Sequence, residues 1–192
     1  MFRPRITYMK KQMHGFSLIE LMTVVLLAGI LVAVGVPSLT TFVKNGRMVA
    51  SVNDLVTAVN VARSEAIKRR TPMTICRSNN PLDANPACDT DNTRDWQTGW
   101  IVFVDADGDA VADAGELVVL QHEALPTNFG IDSDAGTDMD NYISFARTGF
   151  TRKTDGTSQT GNILLCDDRG NVDVGGRSAA RALQVARTGR PT

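Results

Sequence analysis

The strongest constraint on what this chain can fold into is a run of 21 residues, 16–36, that carries one charge, Glu20. About 20 apolar residues suffice to cross a bilayer as a helix, so the run is long enough to be an anchor. A carboxylate four residues after its start is physically awkward. An ionised group near a bilayer centre costs roughly 2.5–3.5 kcal/mol on insertion scales, and such residues generally have a functional partner. Arg3, Arg5, Lys10 and Lys11 precede the run, with no acidic residue among them. Basic residues on that flank predict a cytoplasmic N-terminus. A secretory signal peptide would have a shorter apolar core and a small-residue cleavage site after it. This run ends in Val34-Gly-Val-Pro37 instead. A plain anchor fits the length but gives no reason for Glu20.

The near balance of 20 basic and 21 acidic residues hides strong segregation. A chain beginning at Phe16 would keep 16 basic and 21 acidic residues. Residues 83–140 hold 14 acidic side chains against Arg94 alone, so charge excludes nucleic acid as a ligand of that stretch. Basic residues gather at 44–70 and from Arg169 to the end.

After Pro37 the pattern becomes amphipathic. Val49, Val52, Leu55, Val56, Val59, Ala62 and Ala66 follow helical spacing, with Arg47, Asp54, Ser64, Glu65 and Lys68 largely on the other side. Thr71-Pro72 ends the pattern, because a residue before proline avoids the α region. The expectation is a helix from 16 to 70, bent or loosened at Gly35 and Pro37. Beyond it, strands are expected at 73–76, 100–104, 117–122, 142–145, 163–166 and 182–185, separated by Gly, Asn, Asp and Pro. No internal repeat is evident. A long helix against antiparallel strands is an α+β arrangement.

Three cysteines are present, Cys76, Cys88 and Cys166. A disulfide is permitted if the apolar run places the rest of the chain outside the cytoplasm. Cys76 and Cys88 enclose 11 residues rich in Asn, Pro and Asp, and closing so short a loop stabilises by roughly 3 kcal/mol in the chain-entropy model. Cys166, in the apolar 163–166, is expected as a buried free thiol.

Gly15-Phe16-Ser17-Leu18-Ile19-Glu20 behind a short basic leader resembles the class III prepilin cleavage motif of type IV pilins and pseudopilins. The resemblance implies that a prepilin peptidase cuts after Gly15 and methylates the new N-terminus at Phe16. It also implies that Glu20 meets the N-terminal amine of a neighbouring subunit. Physics agrees, since a buried carboxylate is tolerable when paired with a cation and costly when its partner is removed. Thr74-Ile-Cys-Arg77, Gly99-Trp-Ile-Val-Phe-Val-Asp105, Leu165-Cys-Asp-Asp-Arg-Gly170 and the ending Arg187-Thr-Gly-Arg190 look like the GspH/FimT-type minor pilin and pseudopilin family.

That family implies a type IV pilin-like fold, a long N-terminal helix packed on antiparallel β-sheet. The domain plan is then a cleaved leader at 1–15, an assembly half of the helix at 16–36, an amphipathic half at 37–70 and a β-rich globular domain at 71–192. The implied partners are other major and minor pilins in a hetero-oligomeric filament, the prepilin peptidase, and the inner membrane before assembly. The globular domain would be periplasmic, and the assembled subunit would sit in the filament or at its tip. The function expected is priming or capping of a type IV pilus, with twitching, adhesion and DNA uptake as outcomes of the whole system. The alternatives are a type II secretion pseudopilin and a DNA-binding minor pilin.

Two further patterns carry candidate chemistry. Asp105, Asp107, Asp109, Asp113 and Glu116 stand at positions 1, 3, 5, 9 and 12 of a loop, the calcium-ligand spacing of an EF-hand. Position 6 is Ala110 rather than glycine, and the flanks read as strands, so an acidic hairpin turn is the competing reading. Arg177, Arg181, Arg187 and Arg190 could face phosphates. FimT-like members are linked to DNA uptake through a C-terminal Gly-Arg-x-Arg pattern, whereas this chain reads Gly189-Arg190-Pro191-Thr192. The competing reading is a last strand with solvated arginines. Loss of His14 with the leader leaves His122, expected as an ordinary surface side chain. That is little basis for a zinc site or a Cys–His pair. No enzyme and no cofactor is expected.

Overall fold

The computed structural model describes residues 15–91, 95–133, 139–171 and 178–192. The leader through His14, Arg94 and Arg177 therefore lie outside the described residues. The chain divides into two compact units, Met1–Val43 and Lys44–Thr192.

Helix α1 covers Leu18–Arg69. In the first unit every helical side chain from Leu18 to Thr40 is exposed, Leu, Ile and Val included. This part of α1 is long and apolar enough to cross a membrane. The helical assignment runs without interruption through Gly35 and Pro37, the place where a bend or loosening is expected. The hydroxyls of Thr40 and Thr41 donate to the Pro37 carbonyl at 2.8 and 3.2 Å.

In the second unit α1 buries one stripe: Met48, Ser51, Leu55, Ala58, Val59, Ala62 and Ala66. Met48 replaces Val49, which is exposed, and Val52 and Val56 flank the stripe half-buried. The helix stops at Arg70, whose φ of 56° places it in the left-handed region, followed by Thr71-Pro72.

Seven strands follow among the described residues: β1 Met73–Arg77, β2 Trp100–Val104, β3 Val118–His122, β4 Phe129–Ser133, β5 Tyr142–Phe145, β6 Gly161–Asp167 and β7 Arg181–Val185. They form two antiparallel sheets rather than one, in the orders β3-β2-β1-β5 and β4-β6-β7. Strand β4 escapes the pattern-based expectation because Phe129-Gly-Ile-Asp-Ser133 is short, contains glycine and lacks clean alternation. Its pairing along five residues of β6 makes it a strand.

Alternation assigns the faces. Met73, Ile75, Trp100, Val102, Ile143 and Phe145 join the helix stripe, together with Phe129, Ile131, Ile163, Leu165, Leu183 and Val185 of the second sheet. On the far face of the first sheet, Cys76, Ile101 and Phe103 form a smaller cluster with half-buried Cys88, Val118 and Tyr142. Cys76 and Cys88 are disulfide-bonded. The same alternation corrects the expectation for Cys166. Ile163 and Leu165 point inward, so Cys166 lies on the opposite face and is half-buried.

Candidate functional site

The residues expected to act in assembly lie at and just before the start of α1. Gly15, Phe16 and Glu20 are all exposed. Ser17 precedes the first helical residue and its carbonyl accepts from the Leu21 amide at 3.1 Å. Ser17 and Glu20 have the spacing of a capping box, which would occupy both side chains locally. Among the described residues neither side chain makes such a bond, and no cation pairs with Glu20. It also lies in the first turn of α1, where the helix dipole favours a negative charge.

The acidic loop joins β2 to β3. Asp105 is fully buried, and its carboxylate accepts from the Thr74 hydroxyl at 2.6 Å and from the amides of Gly108, Asp109 and Ala110 at 2.8, 3.1 and 3.2 Å. Burial pushes its pKa up, and the hydrogen bonds to Thr74, Gly108 and Ala110 oppose that rise. Glu116 accepts from the amides of Ala106 and Asp113 at 2.9 and 3.1 Å, and burial raises its pKa too. The carboxylates of Asp105, Asp107 and Asp109 come within 4.8 Å of one another, whereas Asp113 and Glu116 lie outside that group. Three of the five calcium candidates are thus brought together. Asp105 and Glu116, meanwhile, are engaged in closing the turn. Ala110 takes a φ of 64°, the conformation that glycine supplies at that position of an EF-hand.

The arginines divide. Arg181 is half-buried and its guanidinium donates to the carbonyls of Ser178 and Ala180, at 2.5 and 3.0 Å. Arg187 and Arg190 are exposed in the turn after β7, six and nine residues further on. At about 3.3 Å per strand residue, β7 places its ends, Arg181 and Val185, roughly 13 Å apart, with Arg187 in the turn beyond.

His122 departs from the expectation of a plain surface residue. Its ring stacks on Trp100 with centroids 3.9 Å apart and planes 5° from parallel. Its Nε2 lies 3.4 Å from Asp54 on α1, and its Nδ1 is 2.7 Å from the Glu123 carbonyl. The residue ties an edge strand to the helix.

Sequence reasoning also passed over a second tie. Asp167 is held by Arg169, whose Nε donates to both carboxylate oxygens at 3.0 and 2.9 Å while its Nη1 reaches Asn45 on α1 at 2.8 Å. Lys44 pairs with Asp168 at 2.6 Å. The basic composition of 44–70 and the acidic pair at 167–168 were the available signal.

A family model described as Type II transport protein GspH matches residues 51–189, and one for the prokaryotic N-terminal methylation motif matches residues 10–36. No sequence among curated proteins matches this chain. Two crystal structures of the type IV minor pilin FimU from Pseudomonas aeruginosa are similar in fold, each at 17% identity. One has a TM-score of 0.53 and the match covers 79% of this chain and 90% of FimU; for the other the values are 0.50, 74% and 89%. A long helix leading into antiparallel sheet, a methylation motif at its start, and a family match over most of the chain agree: the chain belongs to the GspH family of type IV minor pilins and pseudopilins.

Proposed function

We propose that this chain is a minor subunit of a type IV pilus, cut after Gly15, N-methylated at Phe16 and held in the inner membrane by residues 16–36 until assembly. It acts by association and not by catalysis. The observation that carries the reading is an apolar helical stretch exposed on every side, bearing one carboxylate that no described residue engages. Neighbouring helices in a filament bury the stretch, and the α-amine of a processed neighbour supplies a cation for Glu20. Any other stagger leaves both charges unpaired in an apolar surrounding, so the pair sets axial register. Priming or capping of the filament follows for a minor subunit, with adhesion, twitching and DNA uptake as system-level outcomes. Mass spectrometry of the protein from its native host should find a chain beginning at N-methylated Phe16. An uncut chain, or a cut near Gly35, overturns the reading.

A second reading, a pseudopilin of a type II secretion system, is favoured by the description of the matching family model. Deleting the gene separates the two. Loss of surface pili and twitching supports the first, and periplasmic retention of exported proteins supports the second.

A further inference from the structure

The tetrapeptide Ala-Arg-Thr-Gly occurs twice, at 146–149 and 186–189, a repetition the strand-by-strand reading missed. Both copies fold alike. The Ala146 amide donates to the Phe150 carbonyl at 2.8 Å and the Gly149 amide to the Ala146 carbonyl at 2.8 Å. The Ala186 and Gly189 amides repeat these bonds to Arg190 and Ala186 at 3.1 and 2.8 Å. Gly149 and Gly189 have φ of 78° and 73°, the left-handed residue that ends a three-residue hairpin loop. Isolated bridges, Phe145 to Thr151 and Val185 to Pro191, close the two hairpins.

The two turns are stacked. A Cβ on Gly189 would collide with the Gly149 carbonyl oxygen, and one on Gly149 would meet Ile67 of α1 at 2.6 Å. Arg63 of α1 donates to the Gly149 carbonyl at 3.2 Å. Arg147 and Arg187, at equivalent positions of the stacked turns, are both exposed, as is Arg190. Neither turn contains an acidic residue. Apolar surface adjoins these guanidinium groups, since Ile67 is 47% and Phe150 49% exposed.

The opposite edge of the same sheet has the complementary character. Met73 of β1 is registered with both Val104 of β2 and Phe145 of β5, so the acidic loop and the first turn leave the sheet at the same end. With the order β3-β2-β1-β5, the acidic loop lies at one edge and the twin turns at the other. Asp107, Asp109 and Asp113 are exposed there, beside Val111 and Leu117 at 45% and 53%.

We propose that the twin-turn face is a docking site for the acidic 105–117 loop of a second copy of this chain. Charge and apolar surface match on both sides of the contact. Because the two faces are different patches at opposite edges, the contact is head-to-tail, the kind of interface from which an open filament is built. A polyanion is the poorer occupant, since it has no use for exposed Ile67 and Phe150 and is repelled by the carboxylates of the same unit. The contact is independent of the helix pairing through Glu20. A chain left uncut at Gly15 that still associated by charge would end the processing reading and leave this one standing.

The test is sedimentation velocity of the full chain in neutral detergent micelles at low salt. Expected is concentration-dependent self-association that is lost in about 1 M salt, where the Debye length falls to about 3 Å. Arg147→Glu with Arg187→Glu should weaken it by at least about tenfold, and so should Asp107→Arg with Asp113→Arg. The chain carrying all four changes should associate again, and a mixture of the two paired variants should associate in alternation, since each supplies the charge that the other's faces lack. Association indifferent to both pairs is packing of residues 16–36 within micelles and overturns the proposal. So does failure of the fourfold variant to recover while its thermal unfolding matches the parent. A DNA mobility shift abolished by Arg147→Glu with Arg187→Glu, with self-association unchanged, assigns the face to nucleic acid and also overturns it.

Discussion

Residues 18–43 and 44–69 belong to one helical element, but they satisfy their apolar side chains in different ways. Up to Thr40 every side chain is exposed, Leu, Ile and Val alike. From Met48 onward a narrow stripe is buried against two sheets while charged residues face outward. A helix that is apolar all round needs lipid or other helices to cover it, whereas an amphipathic helix finds its cover within its own chain. The first stretch is therefore an incomplete structure awaiting a partner, and the second is part of a finished domain. The lone carboxylate follows the same division. Glu20 has no described cation, while Glu65 in the second stretch accepts from both Lys68 and Arg69, which hold its pKa below the ordinary value.

The contrast can be broken most severely at Glu20. In the proposed assembly, Glu20→Ala leaves a processed neighbour's amine without its counter-charge. At about 3–5 kcal/mol for a buried charge left unpaired, incorporation should fall by roughly two to four orders of magnitude. Immunoblots of sheared filaments measure this, with membrane fractions serving as the control for insertion. Normal incorporation would remove the assembly role of the residue.

A matched pair of truncations tests the packing difference itself. Leu55→Ala should destabilise the globular unit by about 2–5 kcal/mol, because Leu55 is fully buried. Leu27→Ala, in the exposed stretch, should leave the urea midpoint of that unit unchanged. Equal effects would mean that the two stretches are not separate in energy.

The smallest effect concerns the tie between β6 and the helix. The Arg169 guanidinium beside Asp167 holds that carboxyl below the ordinary carboxylate range. A carboxyl depressed in the folded state stabilises above its unfolded value of about 3.9, and the stabilisation is lost as pH falls through the folded value. Arg169→Gln should therefore cost about 1.5 kcal/mol at neutral pH. The gap between parent and variant should narrow as pH drops below about 4. Urea titrations at several pH values give the curve, and a constant gap would show that the arginine acts through packing.

Much of this was legible along the chain. The end of the helix at Thr71-Pro72, five of the seven strands to within one residue at either end, and β6 to within two all follow from proline chemistry and alternation, which are local. What was not legible depends on contacts between distant segments. Strand β4 has a weak pattern and is made a strand by β6. Met48 displaces Val49 because the sheets, and not the helix, decide the angle of the buried stripe. Asp105 stands at a metal-ligand spacing in the sequence, and only the structure shows that its carboxylate also accepts from Thr74 and three amides of its own loop. The repeated Ala-Arg-Thr-Gly was in plain view and gained meaning only when the two turns proved to be stacked.

The sequence by itself determined that residues 16–36 must be covered by something outside the chain, because a helix apolar on every side has no face to give to solvent. It determined the single charge that any such cover must neutralise. Only the tertiary structure decided that Glu20 has no described partner within the chain. It alone also placed an acidic edge and a basic edge on one sheet, since long-range strand order sets which loops share an end.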